Sequence, residues 1–225
     1  MNSKLPVSVG IILDGNRRWA KAKGLPSLEG HRAGAERLAD VAQWVRDRGI
    51  KHLVVYAFST ENWNRTSEEV SYLMELFRTT VEQHLTRLAG EHVRICFVGQ
   101  RERFSSEIQE MMRHVEETSA HNTGLTLWIC FSYGGRADIV QAARKAGEQG
   151  NITEETLTQY LWTAGMPDPD IIIRTGGEKR LSGFLTWQSV YSELFFRDEY
   201  WPDFSEKILD EILDAFMNRD RRMGR

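Results

Sequence analysis

Apolar residues gather in short, near-continuous runs along this chain, and polar stretches of helical period separate the runs. The runs at residues 7–13, 53–58, 93–98, 125–131 and 171–173 have strand length, and a short sixth centres on Phe195 and Phe196. Continuous apolar runs, as opposed to strict alternation, mark strands buried on both faces. Between them, residues 33–48 place Leu38, Val41, Ala42 and Val45 on one helical face. Residues 68–88 do the same with Leu73, Leu76, Phe77 and Val81, and Ile108, Met111, Met112 and Val115 mark a third helix. Helices also fit residues 137–148, 154–164 and 206–219. This alternation predicts an α/β fold: one domain over residues 1–225, with a central, mostly parallel six-stranded sheet flanked by helices. No internal repeat, low-complexity tract or Pro/Gly-rich linker divides it.

Composition narrows the class. Hydrophobic residues make up 41% and charged residues 27%, enough for a core and unlike a disordered chain. Lys and Arg number 29 against 32 Asp and Glu, and a net charge of −3 argues against a nucleic-acid partner. The two cysteines, Cys96 and Cys130, sit in apolar runs, which excludes a disulfide framework and points to a reducing, cytoplasmic compartment. No apolar run reaches the ~18 residues that span a bilayer. The N-terminus lacks the pattern of a signal peptide. The histidines show no zinc-ligand spacing with the cysteines, and neither a Rossmann nor a Walker phosphate loop is present.

Ligands of parallel sheets bind at the carboxyl ends of the strands, so the polar residues after each strand are the candidates for chemistry. The first strand leads into Asp14-Gly15-Asn16-Arg17-Arg18-Trp19. Glycine permits close backbone approach, and two arginines suit phosphate oxygens. A carboxylate beside a phosphate is repelled unless Mg²⁺ bridges the two. The alternative is an Asx turn with two solvated arginines. The second strand leads into Ser59-Thr60-Glu61-Asn62-Trp63-Asn64-Arg65, ahead of a helix-capping Ser67-Glu68-Glu69. Capping accounts for Ser67 but not for Trp63, which reads as exposed, nor for Arg65. The fifth strand leads into Arg174-Thr175-Gly176-Gly177-Glu178-Lys179-Arg180-Leu181-Ser182, a second glycine-bearing, arginine-flanked segment. Two such loops on one sheet edge suggest a pair of substrates carrying separate phosphate groups. Leu73, Leu76, Phe77 and Val81 read either as ordinary core or as the lining of an apolar tunnel beneath these loops.

These motifs together resemble the cis-prenyltransferases. The resemblance is carried by the Asp14 to Trp19 segment, Gly30-His31, Tyr56-Ala57-Phe58-Ser59-Thr60-Glu61-Asn62-Trp63 and Asn122-Thr123-Gly124-Leu125. It continues through Tyr133-Gly134-Gly135-Arg136, the run 173–178, Arg180-Leu181-Ser182, Glu193-Leu194, Trp201-Pro202-Asp203-Phe204 and Arg222-Met223-Gly224. The blocks run in order from about residue 8 to the C-terminus. The resemblance implies a homodimer that extends an allylic diphosphate with isopentenyl diphosphate, forms cis double bonds and releases pyrophosphate. It makes Asp14 the Mg²⁺-linked aspartate and Glu193 a second metal-associated carboxylate. Gly15, Asn16, Arg17, Arg18, Trp19 and His31 would hold the allylic diphosphate. Ser59, Thr60, Glu61, Asn62, Trp63 and Arg65 would close over the substrates, with Asn62 at the position assigned to proton removal. An amide is a poor base, so water or released pyrophosphate are the other acceptors. Arg174, Arg180, Leu181 and Ser182 would bind isopentenyl diphosphate, completed across the dimer interface by Arg222 and Gly224.

The chain departs from the common bacterial pattern at Arg17, often Gly, at Ser27, often basic, and at Gly183, often Asn; the connection after Gly147 is also shorter than in many relatives. A non-catalytic partner subunit and a generic phosphate-binding module are the competing readings. Asp14, Arg174 and Arg180 argue against the first, and Trp63 with an apolar tunnel against the second. The lipid product implies transient association with a membrane. Alternation places Leu125, Leu127, Ile129 and Phe131 on one strand face. If that face lines the tunnel, a ring at 131, where many undecaprenyl synthases carry a small residue, predicts products shorter than undecaprenyl; the alternative is that Phe131 turns into the core or that smaller neighbouring helix residues compensate.

Overall fold

The computed structural model describes residues 5–219. Its strands are β1 (Ser8–Ile12), β2 (His52–Ser59), β3 (Val93–Val98), β4 (Leu125–Tyr133), β5 (Ile171–Arg174) and β6 (Glu193–Phe196). They form one sheet in the order β3-β4-β2-β1-β5-β6, and every pairing is parallel. The helices are α1 (Asn16–Ala22), α2 (Ser27–Asp47), α3 (Ser67–Thr80), α4 (Thr86–Gly90), α5 (Ser106–Ser119), α6 (Gly135–Glu148), α7 (Glu154–Tyr160) and α8 (Glu206–Met217). Strand residues alternate between two apolar clusters. Val9, Ile11, Leu53, Val55, Leu127 and Ile129 join the larger one with α2, α5 and α8, while Ile12, Val54, Cys130 and Ile172 join the smaller. Burial on both faces is the reason these strands read as continuous apolar runs.

Helix ends differ from the sequence expectation for identifiable reasons. Helix α2 begins at Ser27, six residues before the expected start, and contains Gly30. Glycine lowers helix propensity, but a Cβ on Gly30 would lie 2.0 Å from the Asn16 carbonyl, so the α1–α2 contact requires it. The helix expected over 68–88 is broken by one π turn, Val81–Leu85. There the Thr86 hydroxyl bonds the Val81 carbonyl at 2.9 Å, a spacing of five residues. Helix α7 stops at Tyr160 because the Trp162 amide donates to the buried Asp138 carboxylate at 2.7 Å instead of continuing the helix.

The strand order reverses around β1, whose neighbours are β2 and β5. That reversal opens a crevice beyond the carboxyl ends of β1 and β5. Ile12 of β1 lies level with Arg174 of β5 at this edge.

Candidate active site

Asp14 leaves the end of β1 and stands between the two arginine-bearing loops. Its Oδ2 accepts from the Arg174 guanidinium at 2.8 Å, and its Oδ1 accepts from Arg18 at 3.2 Å. The Thr175 hydroxyl donates to the Asp14 carbonyl at 2.7 Å and ties the two strand ends together. Gly15 turns the chain at φ 105°, and a Cβ there would meet the Tyr200 ring at 2.7 Å. Arg174 is buried; its guanidinium also donates to the Arg180 carbonyl and, at 2.9 Å, to the Ser182 hydroxyl.

Two adjoining cavities open here. The polar one, about 240 Å³, is lined by Asp14, Gly15, Asn16, Arg17, Arg18, His31 and Arg65. The other, about 290 Å³, starts at Asp14, Asn16, His31, Asn62 and Arg174 and continues to Leu73, Leu76, Phe77, Leu85, Ile129 and Phe131. An anion-binding mouth therefore leads into an apolar pocket, the arrangement expected of an amphiphile with a charged head and a hydrocarbon tail. Phe131 is stacked on Phe77 at 4.4 Å between centroids and on Phe104 at 4.7 Å, so the pocket wall there is a packed aromatic stack.

Glu69, in the first turn of α3, organises the basic side of the mouth. Its carboxylate accepts from Arg65 at 2.8 Å and lies 3.5 Å from Arg17 and 3.9 Å from His31. Burial above all, then the nearby Arg65 and Arg17 guanidiniums, push the His31 imidazole down to about 4 against the opposing pull of Glu69. His31 is thus neutral at pH 7, with its buried Nε2 unbonded. The Ser59 amide donates to the Asn62 side-chain oxygen at 3.0 Å, which folds the loop after β2 into a tight turn beside the pocket. Glu69, on α3, braces the end of that turn through Arg65.

Several expected site residues take other places. The Trp19 indole donates to Asp203 at 2.7 Å and is covered by Lys23, so it anchors α1 instead of lining a cavity. Trp63 is half-buried among aromatic rings, not exposed. Thr60 packs under Gly134, and Glu61 is exposed. The Arg180 guanidinium points outward to Glu178, and Leu181 packs on the smaller cluster. Glu193 is a correction: it opens β6 level with Ile171, at the opposite end of the sheet from Asp14, where it pairs with Arg219. The two carboxylates do not share a site within one chain. Among the described residues no group of three or more His, Cys, Asp or Glu side chains could hold a metal by itself. Arg222 and Gly224 lie outside the described residues.

Sequence reading missed Glu69, whose acidic residue after Ser67 signals only a helix start. It also missed Tyr56, which borders the pocket while its hydroxyl donates to the Tyr133 carbonyl at 3.2 Å and its ring stacks on Phe184 in the smaller cluster, and Trp201, which bonds the Gly34 carbonyl at 2.8 Å.

Comparison with known proteins matches this geometry. The family model described as "Putative undecaprenyl diphosphate synthase" matches residues 12–224. An isoprenyl transferase of Neisseria meningitidis serogroup A is 45% identical over 226 residues, covering 100% of this chain and 91% of the relative. The ditrans,polycis-undecaprenyl-diphosphate synthase ((2E,6E)-farnesyl-diphosphate specific) of Escherichia coli K12 is 45% identical over 236 residues, covering 100% and 93%. Among solved structures, lavandulyl diphosphate synthase from Lavandula x intermedia, in complex with dimethylallyl diphosphate, superposes with a TM-score of 0.94 at 33% identity, covering 98% of this chain and 99% of that one. A probable undecaprenyl diphosphate synthase from Campylobacter jejuni gives 0.85 at 30% identity, with both chains fully covered at 100%. With a match over nearly its whole length and the same fold, the chain belongs to the undecaprenyl diphosphate synthase family of isoprenyl transferases.

Proposed function

We propose that this protein joins isopentenyl diphosphate to an allylic diphosphate, releases pyrophosphate and makes a cis-prenyl diphosphate shorter than undecaprenyl. The observation that carries this reading is Asp14 held between Arg174 and Arg18 at the mouth of an apolar pocket. A non-catalytic subunit would not need that set.

In this reading Asn16, Arg17, Arg18, His31 and Arg65 take the allylic diphosphate, and its hydrocarbon enters the pocket along Leu73, Phe77 and Ile129. Breaking the allylic C–O bond leaves positive charge on the hydrocarbon and moves an electron pair onto pyrophosphate. The arginines stabilise that leaving group as its charge grows. Arg174, Arg180 and Ser182 hold the isopentenyl diphosphate so that its alkene attacks the allylic carbon; orientation contributes much of the remaining rate. A proton then leaves the adduct. Asn62 orients the reacting carbons, and the departing pyrophosphate is the stronger base of the two. Asp14 suits Mg²⁺, which is held by one or two carboxylates plus substrate phosphates, not by a protein cage. Held by Asp14, that ion would neutralise the negative charge of the leaving diphosphate.

The reading includes a homodimer. Strand β6 is the outer strand of the sheet, and Val190, Tyr191 and Leu194 beside it are exposed apolar side chains that a second copy would cover. Arg222 and Gly224 would then reach the partner's isopentenyl diphosphate. No helix among the described residues is long and apolar enough to cross a membrane. The reading includes a cytoplasmic location, with contact to lipid through the product. Incubation with labelled isopentenyl diphosphate and allylic primers of several lengths, with and without Mg²⁺ and EDTA, tests the whole reading. Absence of chain extension with every primer overturns it.

A further inference from the structure

The carboxyl end of β4 leaves regular pairing with β2 in two successive steps. Tyr56 pairs with Cys130 and Phe58 with Phe131, which leaves Ala57 over; Ser59 then pairs with Tyr133, which leaves Ser132 over. Ser132 is the bulged residue of β4. It is wholly buried and lies at φ 53°, a left-handed conformation that glycine would adopt without strain. Strict alternation would put Tyr133 on the same face as Phe131. The bulge instead sends Tyr133 into the smaller apolar cluster while Phe131 stays in the larger one. Bulges near active sites commonly re-aim one side chain, and here that side chain is Ser132.

The Ser132 hydroxyl accepts from the Trp63 indole at 2.8 Å, and the Ser132 carbonyl accepts from the Gln100 amide at 3.1 Å. Apolar and cationic groups surround the rest of the ring. Phe58 meets it edge-on at 5.1 Å, Phe104 lies at 5.3 Å, and the Arg103 guanidinium stands 4.7 Å over its centroid. Ser132 is thus the polar anchor of a tryptophan that directly follows Asn62. Packing alone would be served as well by glycine, without the strained backbone. The hydroxyl is what serine adds.

We propose that Ser132 is a positioning residue for prenyl transfer: aimed by the bulge, it holds Trp63 and thereby keeps the turn over residues 59–65 at the pocket mouth, with Asn62 and Arg65 facing the substrates. The proposal rests on the prenyl-transfer reading of the site. Ser132 touches no substrate; it acts through Trp63.

The test is a double-mutant cycle with Ser132→Gly and Trp63→Phe, the second keeping an aromatic ring while removing the N–H donor. Ser132→Gly relieves the backbone and so guards against a variant that merely fails to fold. Each single variant is expected to lower kcat about tenfold, the value of one lost hydrogen bond, with both KM values within about twofold of wild type. The double variant is expected to be no worse than either single. A wild-type kcat in Ser132→Gly, or losses that multiply in the double variant, overturns the proposal. Should the wild type extend no primer, the prenyl-transfer reading fails by itself. The same four proteins compared by thermal melting then decide the anchor, and independent shifts in Tm overturn it.

Discussion

Asp14 and Arg174, 160 residues apart in the chain, meet at 2.8 Å where β1 and β5 end side by side. The pair makes each residue answerable for two things. Arg174 is buried, so its charge depends on Asp14 for stability as well as for aim toward a diphosphate. Asp14→Asn keeps the shape and the hydrogen-bond acceptor at one atom. It keeps an acceptor but not the compensating charge, so it is expected to lower Tm by less than Asp14→Ala and to lower turnover by about a hundred- to a thousandfold. Asp14→Ala is expected to lose the same activity and, in addition, roughly 1–3 kcal/mol of stability through the unpaired guanidinium. Thermal melts and steady-state turnover on both variants check this. Activity within a few-fold of wild type in a folded Asn variant removes Asp14 from the chemistry.

Arg180 tests the separation of the two diphosphate sites. Among the described residues its guanidinium pairs with Glu178 alone, so its removal should leave Tm unchanged. Arg180→Ala is expected to raise KM for isopentenyl diphosphate roughly ten- to a hundredfold, the worth of a charge-assisted hydrogen bond. KM for the allylic primer should move by less than about twofold. Equal effects on both substrates would merge the two sites into one.

Phe131 limits product length in this reading, because its ring lines the pocket and is backed by Phe104, leaving it nowhere to yield. Phe131→Ala should lengthen the products, and Phe131→Leu should do so to a smaller extent. Removing a buried ring also costs about 3–5 kcal/mol, so melts must accompany the assay. Reverse-phase chromatography of dephosphorylated products reads the outcome. A wild-type product already of undecaprenyl length, unchanged in both variants, excludes a gating role.

His31 predicts a specific acid sensitivity. Its folded pKa, about 4, lies below the unfolded value of 6.5, so below pH 6.5 the unfolded chain takes up a proton that the native chain refuses. Stability is full above pH 6.5 and is lost as pH falls toward 4; at pH 5 the loss from this residue is about 2 kcal/mol. His31→Gln should remove that part of the loss. Denaturant melts of both proteins at pH 7.5 and pH 5 measure it, and identical pH dependence would show that His31 is not held neutral.

Local pattern carried a large part of this structure. The apolar run 93–98 is β3 to the residue, and all six expected strands form. In β1 and β5, buried along their whole length, burial on both faces leaves its mark on consecutive residues. Asp14, Asn16, Arg17, Arg18, His31, Asn62, Arg65 and Arg174 were also legible as a group, since in a parallel sheet the segments after the strands share one edge. The places of Trp19, Glu69, Glu193 and Ser132 were not. Glu193 reads like a strand-adjacent carboxylate, yet only the β5–β6 register shows that it opens its strand at the end remote from Asp14. Ser132 lies just past the expected strand 125–131; in the structure it belongs to β4, and two slips of register against β2 turn it toward Trp63. Periodicity within a segment records which residues are buried. Which polar atom meets which is decided by the register between segments far apart in sequence, where a shift of one residue moves a side chain to the other face of the sheet.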